Sequence, residues 1–278
     1  MTYDKADLNR VIAAALAEDI GSGDITSRLL IPERTQARMQ FVAREPMVVC
    51  GGFVPGAVYG ALHADVRVET LLPEGHAVGA QSVIASATGP ARALLTGERV
   101  ALNLMQRLSG VATLTARYVQ AVSGTKALIL DTRKTMPGLR LLDKYAVRSG
   151  GGRNHRMRLD DMVLIKDNHI ALCGGIAEAV AKARAGGVPV VVECDTLEQV
   201  AQALAAKPDR ILLDNMDNAM LRRAVDMAAG AVPLEASGGV SLDTVAAIAA
   251  TGVDCISVGR LTHSAVAIDI GADILLEI

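Results

Sequence analysis

Arg133 and Lys134 leave the end of an aliphatic run, Ala127–Asp131, side by side. A guanidinium is a planar fork matched to a carboxylate or a phosphate, and an ammonium adds a mobile point charge. Further on, His155 and Arg156 follow three consecutive glycines and precede a second aliphatic run that closes on Lys166. An ammonium at the end of a buried strand needs an anion beside it. Glu193 and Asp214 close two more such runs. Two carboxylates there can hold Mg²⁺ through waters, stabilise a cationic transition state, or pair with the basic residues. Ser237, Gly238, Gly239 and Gly259 lie in Gly/Ser loops after the last two runs, where backbone N–H groups can meet a phosphate. His169, in KDNH, has no matching metal-ligand cluster, so a hydrogen-bonded structural role is expected for it.

The charges are unevenly distributed. Between Thr132 and Leu159 stand eight basic residues and one acid, a balance of +7 in 28 residues, whereas the whole chain carries −2. The remaining 250 residues therefore hold 20 basic and 29 acidic side chains. A basic block on an acidic protein points to a local anion site. A pI near 6.2 and the absence of Trp argue against a nucleic-acid partner, because single-strand binders need aromatic stacking platforms. No uncharged run reaches the ~20 residues of a membrane span, and the N-terminus lacks a secretory pattern. A cytoplasmic enzyme is expected. Cys50, Cys173, Cys194 and Cys255 form no CxxC and read as small thiols in a reducing compartment.

These residues need elements to position them. The first ~112 residues read as mixed α+β. An amphipathic helix over about 4–18 is followed by short strands at Met39–Val42, Met47–Cys50, Val66–Leu71 and Ser82–Ser86. Thr96 is read as the cap of a helix running to about Leu108 or beyond. On that helix Arg99, Asn103 and Gln106 share a polar face. Over 113–265 short aliphatic strands alternate with Ala-rich helices. The strands are Ala127–Asp131, Met162–Lys166, Pro189–Glu193, Arg210–Asp214, Pro233–Ala236 and Asp254–Val258. The helices are Ile176–Ala185, Leu197–Ala206, Met220–Ala229 and Leu242–Ala250. This is the βα rhythm of a parallel sheet, and the strand ends converge as in a barrel. Six strands are fewer than eight, so an incomplete α/β barrel is expected.

Seven words carry a resemblance that spans nearly the whole chain: EDIGSGDITS, GERVALNLMQRLSGVAT, DTRKTMPGLR, KYAVRSGGGRNHR, LIKDNHI, LEASGGV and ISVGRLTHSA. In kind and order they resemble quinolinate phosphoribosyltransferases. Arg158 stands where that family usually has Gly, Asp160 replaces a common Tyr or Ser, and VECD departs from the usual V-E-V-E. The resemblance implies an α/β sandwich preceding the incomplete barrel, with the C-terminal stretch 266–278, its strand at Asp273–Ile278, returning to the sandwich. It implies transfer of phosphoribosyl from 5-phosphoribosyl 1-pyrophosphate to quinolinate with decarboxylation, and a homodimer in which Arg99 crosses the interface. Arg99, Arg133, His155, Arg156 and Lys166 would line the dicarboxylate pocket, with Lys134 towards the pyrophosphate. Glu193 and Asp214 would hold the ribose and, through water and substrate, Mg²⁺. Ser237, Gly238 and Gly259 would take the 5′-phosphate, with His263 near that end. Lys134, Lys166, Glu193 and Asp214 would be the catalytic residues. Two other readings are a sugar-phosphate lyase or isomerase, and a non-catalytic phosphate- or dicarboxylate-binding barrel.

Overall fold

In a computed structural model, which describes residues 4–276, the chain divides into two compact units. The first comprises Met1–Ala116, Met136–Gly151 and Ala265–Ile278; the second comprises Arg117–Thr135 and Gly152–Ser264. The change of rhythm puts one division at 112/113, the resemblance implies another at 265/266, and together they leave 136–151 with the barrel. The structure groups 136–151 with the first unit instead.

The first unit opens with α1 (Lys5–Ile20), capped by the Asp4 carboxylate accepting from the Ala6 and Asp7 N–H groups, and the short α2 (Ile25–Leu30). Its strands are β1 (Gln36–Ala43), β2 (Met47–Val48), β3 (Arg67–Thr70), β4 (Ala77–Val78) and β5 (Val83–Pro90), with α3 (Val54–Leu62) between β2 and β3. The last strand, β12 (Ile270–Leu276), pairs antiparallel with β1 and completes a sheet of order β12-β1-β5-β3. Residues 277 and 278 of the expected C-terminal strand lie outside the described residues. Alternate residues of β1, Ala37, Met39 and Phe41, are fully buried, the period-two signature of a sheet with one core face. Helix α4 (Ala91–Ala121) is longer than its sequence pattern implied and starts before Thr96. Thr96 is not its cap. The Thr96 hydroxyl is inside the helix and donates back to the Arg92 carbonyl (2.8 Å) and to Asp24 (3.0 Å).

Residues 136–151 belong with this unit for a physical reason. They form α5 (Arg140–Ser149), an element absent from the sequence reading because its charge pattern looked like a basic loop. The Asp143 carboxylate is fully buried. It accepts from Arg107 Nε (3.1 Å) and Nη2 (3.0 Å) of α4 and from the Met136 N–H (3.1 Å). The Tyr145 hydroxyl donates to Glu74 (3.2 Å), whose carboxylate also accepts from the Gly51 and Gly52 N–H groups. Burial raises the pKa of Asp143 and outweighs the lowering by Arg107. The pair therefore specifies where α5 docks more than it adds net stability.

The second unit holds six parallel strands: β6 (Leu128–Leu130), β7 (Val163–Ile165), β8 (Val190–Cys194), β9 (Arg210–Asp214), β10 (Leu234–Ser237) and β11 (Cys255–Ser257). Their order is β6-β11-β10-β9-β8-β7, so β6 and β7 are the two edges and the barrel is incomplete, as its strand count implied. Five helices follow the strands: α7 (Ile176–Ala183), α8 (Leu197–Ala206), α9 (Asn218–Ala228), α10 (Val245–Ala249) and α11 (Arg260–His263). A further short helix, α6 (Asp167–Cys173), follows β7 directly. Thr196 starts α8 through a reciprocal cap with Gln199, and the Asp217 carboxylate starts α9 by accepting from the Met220 N–H (2.8 Å). Alanines on the inner helix faces, Ala179, Ala203 and Ala224, are buried and let the helices lie close to the sheet. Among the described residues no helix is long and apolar enough to cross a membrane.

Replacing Arg107 with Leu would leave the Asp143 carboxylate buried without its counter-charge. That change should cost about 3–5 kcal/mol, read as a lower denaturant midpoint. A midpoint within about 0.5 kcal/mol of the parent would show that the pair does not hold α5 in place.

Candidate active site

The carboxyl ends of the parallel strands carry the candidate residues, and the register sets their neighbours. Ser237 at the end of β10 pairs with Asp214 at the end of β9, and Glu193 on β8 pairs with Leu212. A cavity of about 280 Å³ opens over this edge. Seven residues singled out by the sequence line it: Lys134, Asp214, Ser237, Gly238, Gly239, Gly259 and His263. Thr132, Asn215, Ser257 and Arg260 line it as well and were not foreseen.

Glycine is required at two of these positions. Gly238 has φ +96°, and a Cβ there would sit 2.1 Å from Asn215 Oδ1. A Cβ at Gly259 would meet Lys134 Cδ at 3.0 Å and the His263 ring at 3.2 Å. Both side chains can lean over the strand end only because that Cβ is missing. The Gly238–Gly239 turn does not open a helix directly, as its sequence implied, since α10 begins only at Val245. It presents its backbone by positive φ instead. Lys134 is fixed through its main chain. The buried Thr262 hydroxyl donates to the Lys134 carbonyl (2.8 Å), and the Lys134 N–H donates to Thr132 Oγ1 (3.0 Å). Asp214 accepts from Asn215 Nδ2 (2.6 Å), and His263 Nδ1 shares a 2.6 Å hydrogen bond with Ser264 Oγ.

The other candidates do not line that cavity. Lys166 Nζ lies 2.6 Å from Glu193 Oε2, and the lysine side chain stays 45% exposed. That anion partner answers the demand raised by an ammonium at a strand end. His169 Nδ1 accepts from the Lys166 N–H (3.0 Å), the structural role expected of it. Arg156 is partly buried, and its pKa is lowered by burial and then by the charge of Arg133. Asp161 opposes both effects, and Arg156 Nη1 donates to the Met162 carbonyl (3.2 Å), while Arg133 is exposed. Arg99 belongs to the first unit, on α4, with its side chain 57% exposed and 4.0 Å from Glu98.

The second unit also holds two buried carboxylates to which sequence reasoning assigned no part in the site. Asp131, at the end of β6, accepts from Asn154 Nδ2 (2.5 Å) and from the His155 N–H (2.9 Å). Glu235, on β10, is fully buried. It accepts from Arg210 Nη1 (2.8 Å) and Ser257 Oγ, and its Oε1 is 3.4 Å from His155 Nε2. Both ring nitrogens of His155 have protein partners, because Nδ1 accepts from the Arg156 N–H (2.7 Å). The available signal was the lone acid within the apolar run of β10, Leu234-Glu235-Ala236. A charge there must be balanced by partners.

Among the described residues no group of three or more His, Cys, Asp or Glu could hold a metal ion. Glu193 and Asp214 are two hard oxygen donors on adjacent strands. That donor set fits a Mg²⁺ ion completed by waters and phosphate oxygens, and is too small for a resident protein-only cage.

Burial raises the Glu235 pKa, but His155, Ser257 and Arg210 outweigh it, and the net shift is below the ordinary value of 4.5. A carboxylate depressed on folding contributes stability above its unfolded pKa and loses it as pH falls through the folded pKa. The parent should therefore lose urea stability as pH falls below about 4.5. Glu235→Gln should be less stable at pH 7, because Arg210 loses its counter-charge, and should show a flatter decline below pH 4.5. An equally steep acid decline in the variant would remove Glu235 from this role.

Comparison with known proteins agrees with this geometry. Residues 24–109 match the N-terminal domain of quinolinate phosphoribosyl transferase, and residues 111–273 match its C-terminal domain. The chain is 43% identical over 273 residues to a probable nicotinate-nucleotide pyrophosphorylase [carboxylating] of Bacillus subtilis, covering 97% of this chain and 94% of that one. It is 45% identical to the Mycobacterium leprae nicotinate-nucleotide pyrophosphorylase [carboxylating], with 95% of each chain covered. The solved nicotinate-nucleotide pyrophosphorylase of Francisella tularensis superposes with a TM-score of 0.94 at 41% identity, over 99% of this chain and 98% of that one. Both domains match in order and over nearly their full length, and the chain belongs to the quinolinate phosphoribosyltransferase family.

Proposed function

We propose that this chain transfers the phosphoribosyl group of 5-phosphoribosyl 1-pyrophosphate to quinolinate and releases nicotinate mononucleotide, pyrophosphate and CO₂, a step of NAD biosynthesis. One observation supports the proposal: candidate anion-binding residues fall both within one cavity at the strand ends and outside it. The Gly238–Gly239 turn, Ser237, Gly259 and Lys134 surround a cavity sized for a sugar phosphate. Arg133, Arg156 and Lys166 stand outside that lining, with Lys166 paired to Glu193 and Arg156 partly buried within the field of Arg133. A lone sugar-phosphate substrate, as in a lyase or isomerase, would need only the first group. Quinolinate adds two carboxylates and needs the second.

In this reading Arg133, Arg156 and Lys166 bind the dicarboxylate, with His155 serving the same pocket. Ser237, Gly238 and Gly259 take the 5′-phosphate, with His263 beside it, and Lys134 meets the pyrophosphate. The pyridine nitrogen attacks the anomeric carbon as the pyrophosphate oxygen departs. Glu193 and Asp214 hold the ribose and oppose the positive charge that develops on that carbon. Mg²⁺, held by Glu193 and Asp214 through water and by the substrate, would neutralise the leaving diphosphate. The ring nitrogen is then quaternary and positive. Its charge stabilises the electron pair left on the neighbouring ring carbon when the carboxylate there leaves as CO₂, and a proton then bonds to that carbon. The protein needs only to hold and desolvate the departing group. We place the enzyme in the cytoplasm, in keeping with free, buried thiols at Cys50, Cys194 and Cys255.

We further propose a homodimer in which each site receives Arg99 from a second copy of the chain, giving an exposed guanidinium on a helix face a purpose.

Purified protein given both substrates and Mg²⁺ should release pyrophosphate. Protein that binds quinolinate and releases none would be a sensor and not a transferase. Gly238→Ala places a methyl group against Asn215 and should raise the KM for phosphoribosyl pyrophosphate at least about tenfold while leaving quinolinate binding unchanged. An unaltered KM would move the phosphate site elsewhere. Arg99→Ala and Lys166→Ala should each be nearly inactive alone. Mixed and allowed to exchange subunits, they should recover roughly a quarter of parental activity, since half the dimers then carry one intact site. No recovery would place Arg99 and Lys166 in the same subunit's site.

A further inference from the structure

The hydrogen-bond directions around His155 carry an inference beyond the substrate assignments above. A backbone N–H can only donate. The Arg156 N–H lies 2.7 Å from His155 Nδ1, so that nitrogen presents its lone pair and carries no proton. The ring hydrogen then sits on Nε2, which faces Glu235 Oε1 at 3.4 Å. The imidazole is 8% exposed and Glu235 is fully enclosed. The groups packed around this carboxylate come from every neighbouring strand: Arg210 from β9, Ser257 from β11, and His155 from the segment after the three glycines. Arg210 Nη1 supplies a positive charge directly to the Glu235 carboxylate at 2.8 Å, closer than the 3.4 Å of the imidazole. On the other side, Asp131 accepts from the His155 N–H and from Asn154, which pins the same segment from its main chain.

We propose that Glu235 is a positioning residue of the active site: it locks His155 as the neutral Nε2–H tautomer, and His155 Nδ1 in turn fixes the main chain of Arg156 and so the guanidinium that meets the dicarboxylate. His155 thus serves the pocket at one remove, as a strut between a buried carboxylate and the arginine, and not as a cation on the substrate. This rests on the assignment of Arg156 to quinolinate made above.

Two measurements test it. The first uses unaltered protein with ¹⁵N-labelled histidine, the His155 signals being those lost in His155→Gln. The ring should show a protonated Nε2 and a bare Nδ1 at neutral pH, before and after quinolinate is added. A doubly protonated ring, or a proton on Nδ1, would overturn the proposal. The second is kinetic. Glu235→Gln should raise the KM for quinolinate about tenfold, the scale of one misplaced charge-assisted contact, with kcat and the KM for phosphoribosyl pyrophosphate near those of the parent. A fall in kcat with both KM values unchanged would overturn it. If Glu235→Gln fails to fold, the nitrogen spectrum of the parent still decides. If the parent protein makes no pyrophosphate from the two substrates, the functional reading fails, yet the tautomer is still read independently of turnover.

Discussion

Two buried carboxylates that hold one glycine-rich segment are the constraint on which the site depends. Asp131 and Glu235 are both fully enclosed, and each draws its partners from the segment that contains Asn154 and His155. That segment is irregular and rich in glycine, so its own sequence does not dictate a path. The carboxylates supply one. Asp131 captures it at the end of β6, Glu235 holds it over β10, and Arg210 balances the charge that remains. Without those anchors, the main chain that leads into Arg156 would lose the contacts that fix its path.

The fold gathers charges that would otherwise repel. Parallel strands bring residues that are distant in sequence to one edge, and short strand-to-helix loops keep them there. Lys134 is tethered by Thr132 and Thr262, Lys166 is neutralised by Glu193, and Gly238 and Gly259 leave room for neighbouring side chains to approach the backbone. Rigidity at this edge matters more than the number of cations, because a dicarboxylate and a diphosphate must meet with their reacting atoms aligned.

Much of this was legible in the sequence, for identifiable reasons. The βα rhythm located all six parallel strands, because short aliphatic runs separated by Ala-rich helices have few other folds to adopt. The polar residue closing each run marked the site edge. Other features were hidden. The basic block reads as one patch along the chain, but Arg140 and Lys144 lie on α5 in the first unit, with Lys144 fully buried. Charge alone cannot reveal that a helix will dock through Asp143, since the partner Arg107 is remote in sequence. Thr96 looked like a cap because its type favours one, but Pro90 ends β5 and the helix starts immediately after it. In sequence Glu235 is a single acid within an apolar run, two residues before Ser237. Its importance comes from burial and from three partners on other segments, none of which sequence spacing can show.

A crystal structure with quinolinate bound tests the central claim most directly. The account predicts both ligand carboxylates on Arg133, Arg156 and Lys166, beside the strand ends, with His155 Nδ1 still on the Arg156 N–H and Nε2 still facing Glu235. A ligand carboxylate bonded to a ring nitrogen of His155, or a dicarboxylate seated away from Arg156, would contradict it.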